Sequence, residues 1–546
     1  MPTRLALALA ATLALTACQA PAGTPTGLGA PTAPGGTVAA DPNHTDLSTP
    51  AAFAAPAKAT VLALAVTTRP KPGGPTMADV DADKDPKDAV EPEVDVEVRD
   101  GAYQAVGVIK ARGHSTREAD QMSYSIKLAK DAAPWQGYKT VMLNKHPYDL
   151  TRVRNKLAFD LLAYVPELAA SKTQFVHLTV DGTDMGLFTQ VEKVDKDFLK
   201  AHGLDPAGHL YKAEEFEFLR YPEALKAEGA GFDKAAFERV LEIEGAKDHG
   251  PLLAMLDAVN AEDQPIDQVL RTHFDRRNFV TWLALNVLMG NQDTTSQNFL
   301  LYRPTNGRFH FLPWDYDASM GFYNQPDQVA GNEHIQRWQE GLTNWWASAL
   351  VRRYLQAPGA GAELDARIRE LANGALAPER IRALVDSYRD AVAPHIAKAP
   401  DVTHLPASGE PAAAWRTELD RITGSVTRNL ARYESTRLRP MPVYLGDVEV
   451  ATRLFSWDAS FSLTGHPLIY DLQVARTPDF AAGAIVAEKK GLTTTSATVE
   501  PLAPGTYYYR VTVRDTTDPT NLFQWPFDRH DANGRRYDGV RTVTIP

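Results

Sequence analysis

Cysteine is almost missing from this sequence: Cys18 is the only one among 546 residues. The body of the chain therefore excludes an intrachain disulfide, a zinc-thiolate site and a cysteine nucleophile. The motifs H-E-x-x-H and G-x-S-x-G are also missing, so zinc-protease and α/β-hydrolase functions have no support. After the first residues, no apolar run is long enough to cross a bilayer as a helix.

Basic residues are also fewer than acidic ones. The chain has 57 Lys and Arg against 68 Asp and Glu, which gives a net charge of −11. We find no basic stripe with interleaved aromatic residues, so nucleic acid is not expected as a partner. The hydrophobic share of 44% is enough for full cores, and the length suits two or three domains.

The first 18 residues are typical of a lipoprotein signal peptide. Arg4 precedes an apolar run from Leu5 to Leu15, and the segment 15–18, LTAC, looks like a bacterial lipobox. Cys18 would then carry a lipid that anchors the protein to the membrane, outside the cytoplasm, at the bacterial cell envelope. The alternative is an ordinary signal peptide with a chance cysteine. Residues 19–56 are rich in Ala, Pro, Gly and Thr, which predicts a disordered tether.

The most informative stretch is 290–322, GNQDTTSQNFLLYRPTNGRFHFLPWDYDASMGF. Its polar start contains Asp293 and Asn298. Two apolar runs, 299–302 and 308–314, flank the turn PTNG and predict a β-hairpin. The hairpin would deliver Asp315 and Asp317 next to the polar start.

This pattern indicates phosphoryl transfer. Such enzymes need an Asp that orients or deprotonates a hydroxyl, and hard oxygen ligands for magnesium. Asp293 and Asn298 have the five-residue spacing of the Asp and Asn in the protein-kinase catalytic loop, and Asp315 follows the next hairpin, where the metal-binding Asp is expected. The alternative is that these acidic residues only cap turns.

The motifs GNQD at 290–293, Asn298 and WDYD at 314–317 resemble the spore coat protein H (CotH) kinase family, a group of atypical protein kinases. The resemblance covers about residues 90–435. Further matching segments lie upstream: RGHSTR at 112–117, YSIKL at 124–128, GLFTQVE at 186–192 and LYK at 210–212.

The resemblance implies an α+β fold, with an atypical two-lobed protein-kinase-like domain at 57–440. The N-lobe would span about 57–212 and the C-lobe about 213–440. ATP with Mg²⁺ or Mn²⁺ would bind between the lobes, and a protein Ser or Thr would be the acceptor. Asp293 would act on the hydroxyl, while Asn298, Asp315 and Asp317 would hold the metal.

On the nucleotide side, the family comparison places the nucleotide-binding lysine at Lys127. Kinases hold such a lysine with a carboxylate, and Glu192 is the candidate. Lys145 and Arg154 are rivals for the phosphate role, although the charges of the predicted helix 151–164 are also typical of plain helix surface. Arg112 begins a Gly-containing loop that suits phosphate oxygens.

Two aromatic residues are candidates for the adenine pocket. Leu210–Lys212 is expected to link the lobes, and Tyr211 and Phe309 would be plates for the purine. Core packing is the alternative for both aromatic residues.

From about residue 441 the composition becomes β-rich. Segments 454–457, 469–474 and 505–511 predict strands of an all-β sandwich at 441–546, similar to fibronectin type III, with Trp457 in its core. No chemistry is visible in this part.

Two functions of different classes follow. The first is an ATP- and Mg-dependent atypical protein kinase acting on an extracytoplasmic or surface protein. The alternative is a catalytically silent cell-surface adhesion lipoprotein that keeps the kinase-like fold for binding. The joint presence of Asp293, Asn298 and Asp315 favours the kinase.

Overall fold

The computed structural model describes residues 44–49, 58–85, 91–245, 248–329, 341–407, 409–517, 523–532 and 534–546. The predicted leader with Cys18 and most of the predicted tether lie outside the described residues, so the lipid anchor stays a prediction. Within the described ranges, no helix has both the length and the apolar character needed to cross a membrane.

Seven strands close into a barrel in the first part of the chain. They are β1 (Val61–Thr68), β2 (Val94–Asp100), β3 (Tyr103–Arg112), β4 (Ser123–Leu128), β5 (Thr140–Asn144), β6 (Thr173–Val180) and β7 (Thr183–Val191). The order around the barrel is β1-β2-β3-β4-β5-β7-β6, and β1 closes it by pairing in parallel with β6. Alternate apolar side chains fill the interior, which has a hydrophobic core of its own. Three short helices accompany the barrel: α1 (Met77–Ala82), α2 (Arg154–Leu162) and α3 (Lys196–Ala201).

A second lobe combines a four-stranded antiparallel sheet with helices. Its strands are β8 (His209–Ala213), β9 (Leu241–Gly245), β10 (Phe299–Arg303) and β11 (His310–Pro313), in the order β11-β10-β8-β9. The helices are α4 (Lys234–Glu238), α5 (Gly250–Asn260), α6 (Ile266–His273), α7 (Arg276–Met289), α8 (Pro326–Val329), α9 (Ala349–Gln356), α10 (Ala360–Asn373), α11 (Pro378–Ile396), α12 (Pro411–Ile422) and α13 (Ser425–Thr436).

Strand β8 corrects one expectation. Leu210–Lys212 was expected to be a link between the lobes, but its backbone pairs with β10 on one side and β9 on the other. A strand that is paired on both edges belongs inside a sheet, so this segment is part of the second lobe.

Helix α7 is the central element of this lobe, and it leads the chain into the polar stretch. The Asp275 side chain caps its first turn by accepting a hydrogen bond from Asn278 N at 3.0 Å. Gly290 ends it with φ of 61°, the left-handed conformation that favours glycine. A Cβ atom at this position would lie 2.7 Å from the Nδ2 atom of Asn429. The end of α7 therefore requires glycine for two reasons.

The last part of the chain is all β. Its strands are β12 (Leu454–Ser456), β13 (Leu468–Ala475), β14 (Ile485–Leu492), β15 (Ser496–Thr498), β16 (Gly505–Asp515), β17 (Phe523–Gln524), β18 (Arg529–Ala532), β19 (Arg535–Asp538) and β20 (Arg541–Ile545). Trp457 is buried in the core of this region, as predicted. Tyr507 and Tyr509 point into the same core from β16, whereas Tyr508, between them, lies on the other side of the strand.

The predicted fold class is confirmed: an α+β domain of two lobes precedes an all-β region. The β region has its own core, but its first residues also pack on the helical lobe. Met441 is fully buried in the core of that lobe, and Phe461 packs against the same core. The predicted boundary near residue 440 is therefore crossed by apolar contacts.

Replacement of Gly290 by alanine should destabilise the protein by about 1–3 kcal/mol, because a left-handed alanine is strained and its Cβ would disturb Asn429. Differential scanning calorimetry measures the effect. Gly361→Ala is the control, since Gly361 lies in α10 with no atom near an added Cβ. That variant should melt at or slightly above the wild-type temperature. Equal melting of Gly290→Ala and wild type would contradict the assignment of this helix end.

Candidate active site

The polar turn, residues 290–298, connects α7 to β10. A short 3₁₀ turn at Gln292–Thr294 carries Asp293. The two carboxylate oxygens of Asp293 accept hydrogen bonds from Gln297 Nε2 at 2.9 Å and from Asn298 Nδ2 at 2.7 Å. Asn298 has φ of 61°, a conformation that asparagine tolerates better than most residues. The structure thus brings Asp293 and Asn298 into direct contact.

The aspartate loop, residues 315–317, follows the hairpin of β10 and β11. Tyr316 is fully buried and packs against Phe159 of α2, with ring centroids 5.9 Å apart. Asp315 adopts a left-handed φ of 49°, which turns the chain sharply after β11. Because Tyr316 is packed in the core, it holds the positions of Asp315 and Asp317, which flank it in the chain.

The three aspartates of these two segments influence each other electrostatically. Burial and the nearby charge of Asp317 together raise the pKa of Asp293 to about 6, against the opposing effect of the hydrogen bonds from Gln297 and Asn298. Burial also raises the pKa of Asp315, and Asp317 and Asp293 add to the effect, while His146 and Arg112 oppose it. The Oδ1 atom of Asp315 is buried and accepts no hydrogen bond. The site therefore concentrates negative charge that the surrounding side chains only partly neutralise.

Arg112 faces this cluster from the end of β3. Its guanidinium is close enough to Asp315 and Asp317 for both carboxylates to raise its pKa, although burial has the larger effect and lowers it. Arg117, in the same loop, instead forms a buried ion pair with Asp83 at 2.6 Å. Of the two arginines of the loop, Arg112 alone reaches the aspartates.

His146 and Asn155 complete the site, and the sequence analysis missed both. His146 Nδ1 lies 3.2 Å from Asp317 Oδ2, and His146 Nε2 lies 3.4 Å from Asn155 Nδ2. Asn155 Oδ1 accepts a hydrogen bond from Tyr316 N at 3.2 Å. One buried asparagine of α2 therefore contacts both the backbone of the aspartate loop and the histidine beside Asp317.

The start of α2 also corrects the interpretation of its charges as helix surface. Arg152 and Arg154 are fully buried, and Lys156 is 8% exposed. Arg154 pairs with both Asp149 and Glu418. The available signal was that Arg154 and Lys156 lie on different faces of a nine-residue helix, because a helix packed in an interior cannot expose all its faces.

The ion pairs of Arg154 extend to the segment that follows the aspartate loop. Glu418 also binds Arg421, whose Nη2 donates a hydrogen bond to the carbonyl of Gly321 at 2.7 Å. Gln325 accepts a hydrogen bond from Arg154 at 3.1 Å. These contacts fix residues 321–325 against α2 and α12.

Lys127 and Glu192 do not form the predicted pair. Lys127 is exposed on the outside of the barrel, because its neighbours Ile126 and Leu128 on β4 point inward. Glu192 is buried and instead pairs with His202 Nε2 at 3.1 Å. Both residues lie in the described part of the chain, so their placement there counts against a lysine–glutamate pair at this site.

Lys145 is a buried lysine that directly precedes His146 in the chain. Its Nζ lies 2.7 Å from Asp401 Oδ1 and donates a hydrogen bond to the carbonyl of Met185 at 2.7 Å. Burial lowers its pKa to about 8, while Asp401 opposes that shift. The ammonium group of Lys145 is thus committed to an internal ion pair, next to His146 in the chain.

Tyr211 and Phe309 are core residues and not plates of a pocket. Tyr211 is fully buried, and its hydroxyl is 2.9 Å from His249 Nδ1. Phe309 is 1% exposed and packs against Phe274 with ring centroids 6.2 Å apart. The alternative of core packing is therefore correct for both, since neither ring has a face open to a ligand.

Comparisons with known proteins found a related chain and several solved structures, of which two are described below. The inner spore coat protein H of Bacillus subtilis (strain 168) is 26% identical over 215 residues. The match covers 39% of this chain and 58% of that protein, so it spans less than two thirds of the relative's length.

The two solved structures show only weak similarity. The Helicobacter pylori proinflammatory kinase CtkA shares 14% identity over 57% of this chain and 95% of that chain, with a TM-score of 0.27. A complex of HipA and HipB with operator DNA from Shewanella oneidensis MR-1 shares 13% identity over 64% of this chain and 66% of that chain, with a TM-score of 0.25. At these TM-scores we draw no conclusion from either structure.

The family comparison is stronger. The model of the CotH kinase protein family matches residues 109–432, which is more than half of the 546 residues. The matched range includes the polar turn, the aspartate loop, Arg112, His146 and Asn155. The chain belongs to the CotH kinase family, and its two-lobed α+β domain is the kinase-like domain of that family.

Proposed function

We propose that the protein is a phosphotransferase that uses ATP with Mg²⁺ or Mn²⁺ and modifies serine or threonine hydroxyls of a protein. One observation supports this most: the polar turn and the aspartate loop place three carboxylates close enough to influence one another electrostatically, and Asp315 Oδ1 is buried without a hydrogen-bond donor. Membership of the CotH kinase family supports a kinase-like function in general.

The donor set of the site fits a divalent cation. Asp315 and Asp317 supply hard carboxylate oxygens, which magnesium prefers. Asn298 uses its amide nitrogen for Asp293, so its amide oxygen is the end left for a cation. When bound, the cation and the nucleotide would supply charge neutralisation and the phosphoryl group to be transferred.

Asp293 is the residue proposed to act on the acceptor hydroxyl. Its pKa of about 6 keeps it mostly ionised at neutral pH, yet close enough to neutrality to accept a proton. The hydrogen bonds from Gln297 and Asn298 fix its orientation. Asp293 therefore orients the hydroxyl and takes its proton as the phosphoryl group moves.

Arg112 is proposed to bind phosphate oxygens. It lies beside Asp315 and Asp317, and a guanidinium suits phosphate geometry. Lys127, on the outside of the barrel, is not proposed again for this role. The basic side chains near the aspartates are then Arg112 and His146.

We further propose that the protein is anchored by lipid at Cys18 and acts outside the cytoplasm, as the segment LTAC suggests. Since ATP is scarce there, the donor would be nucleotide released locally or another phosphoryl or nucleotidyl donor.

A second candidate function is a catalytically silent surface-binding protein. The observation that favours it is the placement of the lysines: in the described part of the site, Lys127 points away and Lys145 is bound to Asp401. Such a protein would keep the fold and bind no nucleotide. Incubation of the purified protein with labelled ATP, Mg²⁺ or Mn²⁺ and candidate acceptor proteins separates the two functions.

Asp315→Ala and Asp293→Asn should have different effects. Asp315→Ala should weaken Mg²⁺-dependent binding of an ATP analogue, because it removes a charge that offsets the cation. Asp293→Asn should leave that binding nearly intact and lower turnover by about two orders of magnitude or more. Isothermal titration with and without Mg²⁺, together with phosphotransfer assays, measures both effects.

The control for these two variants is Asp257→Asn, which removes an exposed charge that pairs with Arg220. It should change neither binding nor turnover. Absence of Mg²⁺-dependent nucleotide binding in wild type would rule out the phosphotransferase and favour the silent binder.

The stability of the metal-free protein should depend on pH through Asp293. Its folded pKa of about 6 exceeds the unfolded value near 4, so the folded state holds the proton more tightly. This contribution to stability is fully present below pH 4 and is lost as pH rises through 6, and two pKa units correspond to about 3 kcal/mol. Relative to wild type, Asp293→Asn should therefore gain stability between pH 5 and 7 in EDTA. Urea denaturation at pH 5 and at pH 7 measures the free energy of unfolding of both proteins. An equal change of that free energy with pH in the two proteins would contradict the prediction.

Asn155→Leu should raise the Mg²⁺ concentration needed for half-maximal activity, because it frees the aspartate loop and His146. A rise of about tenfold corresponds to one or two lost hydrogen bonds. Asn278→Leu is the matched control, since Asn278 is equally buried and also accepts a backbone hydrogen bond, from Phe311 N. The control should lose stability but keep its Mg²⁺ requirement. An equal change of Mg²⁺ requirement in both variants would mean that Asn155 acts only through stability.

A further inference from the structure

The polar turn is held by a segment that the sequence motifs do not include. Asn344 lies in a 3₁₀ turn at Thr343–Ala347 and is 5% exposed. Its Nδ2 donates hydrogen bonds to the carbonyl of Gln292 at 2.9 Å and to Thr295 Oγ1 at 2.8 Å. Since Gln292 and Thr295 flank Asp293 and Thr294, one amide group fixes both sides of the turn that carries Asp293.

The same segment contacts the C-terminal β region. Trp346, two residues after Asn344, is 3% exposed, and its ring stacks on Phe461 with centroids 5.8 Å apart and planes 12° apart. Trp345, between the two, is buried in the core of the helical lobe. Trp346 belongs to the same core, so both tryptophans fix the segment in the helical lobe, and Trp346 also carries the contact with Phe461.

Phe461 is itself held in place. Its carbonyl accepts a hydrogen bond from Met441 N at 2.9 Å, and Ser460 Oγ donates one to the Met441 carbonyl at 2.5 Å. Met441 is fully buried in the core of the helical lobe. The contact between Trp346 and Phe461 is therefore part of a packed interface and not a loose contact at the surface.

We propose that the C-terminal β region braces the polar turn, and that Asn344 is the positioning residue through which it acts. The chain of contacts runs from Phe461 to Trp346, then through the 3₁₀ turn to Asn344, and finally to the backbone on both sides of Asp293. The β region then helps to hold the backbone of the kinase-like domain in its active-site geometry. The expected effect on turnover rests on the role proposed above for Asp293, whereas the expected effect on the backbone of the polar turn does not.

The link is tested in the full chain by hydrogen exchange of the amides of residues 290–298. Asn344→Ala and Phe461→Ala should each raise their exchange rates about fivefold to tenfold, the scale of one or two lost hydrogen bonds. Phe461→Trp keeps an aromatic partner for Trp346 and should restore slow exchange. Tyr508→Ala is the control, since Tyr508 lies elsewhere in the β region, against His530.

Phosphotransfer and nucleotide binding are measured on the same variants. Asn344→Ala and Phe461→Ala should lower turnover about tenfold with unchanged Mg²⁺-dependent nucleotide binding, because neither residue touches the aspartate loop. Unchanged exchange in both variants, or an equal rise in Tyr508→Ala, would overturn the brace. If wild type transfers no phosphate but the two variants still exchange faster than wild type, the brace is supported and only the proposed function is refuted.

Discussion

Electrostatic repulsion among three neighbouring carboxylates is the constraint on which this structure depends. Burial and the charge of Asp317 raise the pKa of both Asp293 and Asp315, and such groups stay together only where the surrounding fold holds them. Two elements bring them in, the end of α7 and the hairpin of β10 and β11. The first lobe supplies the basic side chains opposite them, Arg112 from the end of β3 and His146 from the segment after β5. The site is therefore made by both lobes, and neither lobe contains it alone.

The fixed backbone of the site has a similar origin. Gly290 and Asn298 take left-handed conformations at the two ends of the polar turn, and Asp315 takes one after β11. For Asn298 and Asp315, which are not glycines, this conformation costs free energy that packing elsewhere must supply. Buried side chains far away in sequence supply it: Asn155 binds the aspartate loop, Asn429 packs at Gly290, and Asn344 binds the polar turn.

The sequence predicted the local features well and the long-range ones poorly. The hairpin with its aspartates, the Asp293–Asn298 pair and the all-β end follow from turn residues, spacing and alternation, which are local. Lys127 and Tyr211 were misplaced because periodicity does not say which face of a strand meets the site. His146 and Asn155 were missed since their partners lie more than 150 residues away. Only the folded chain brings those residues together.

The ion pair between Arg154 and Glu418 has a consequence for how the chain acquires its structure. Lys145 with Asp401 makes a second such link, so the charges buried beside the barrel find their partners about 260 residues later. All seven barrel strands are complete by Val191, but Lys145 and Arg154 do not have all their carboxylate partners until residues 401 and 418 are present. Contacts of such high sequence separation form slowly. A chain interrupted before residue 401 would therefore bury Lys145 without its carboxylate, and a chain interrupted before residue 418 would leave Asp149 as the one carboxylate paired with Arg154.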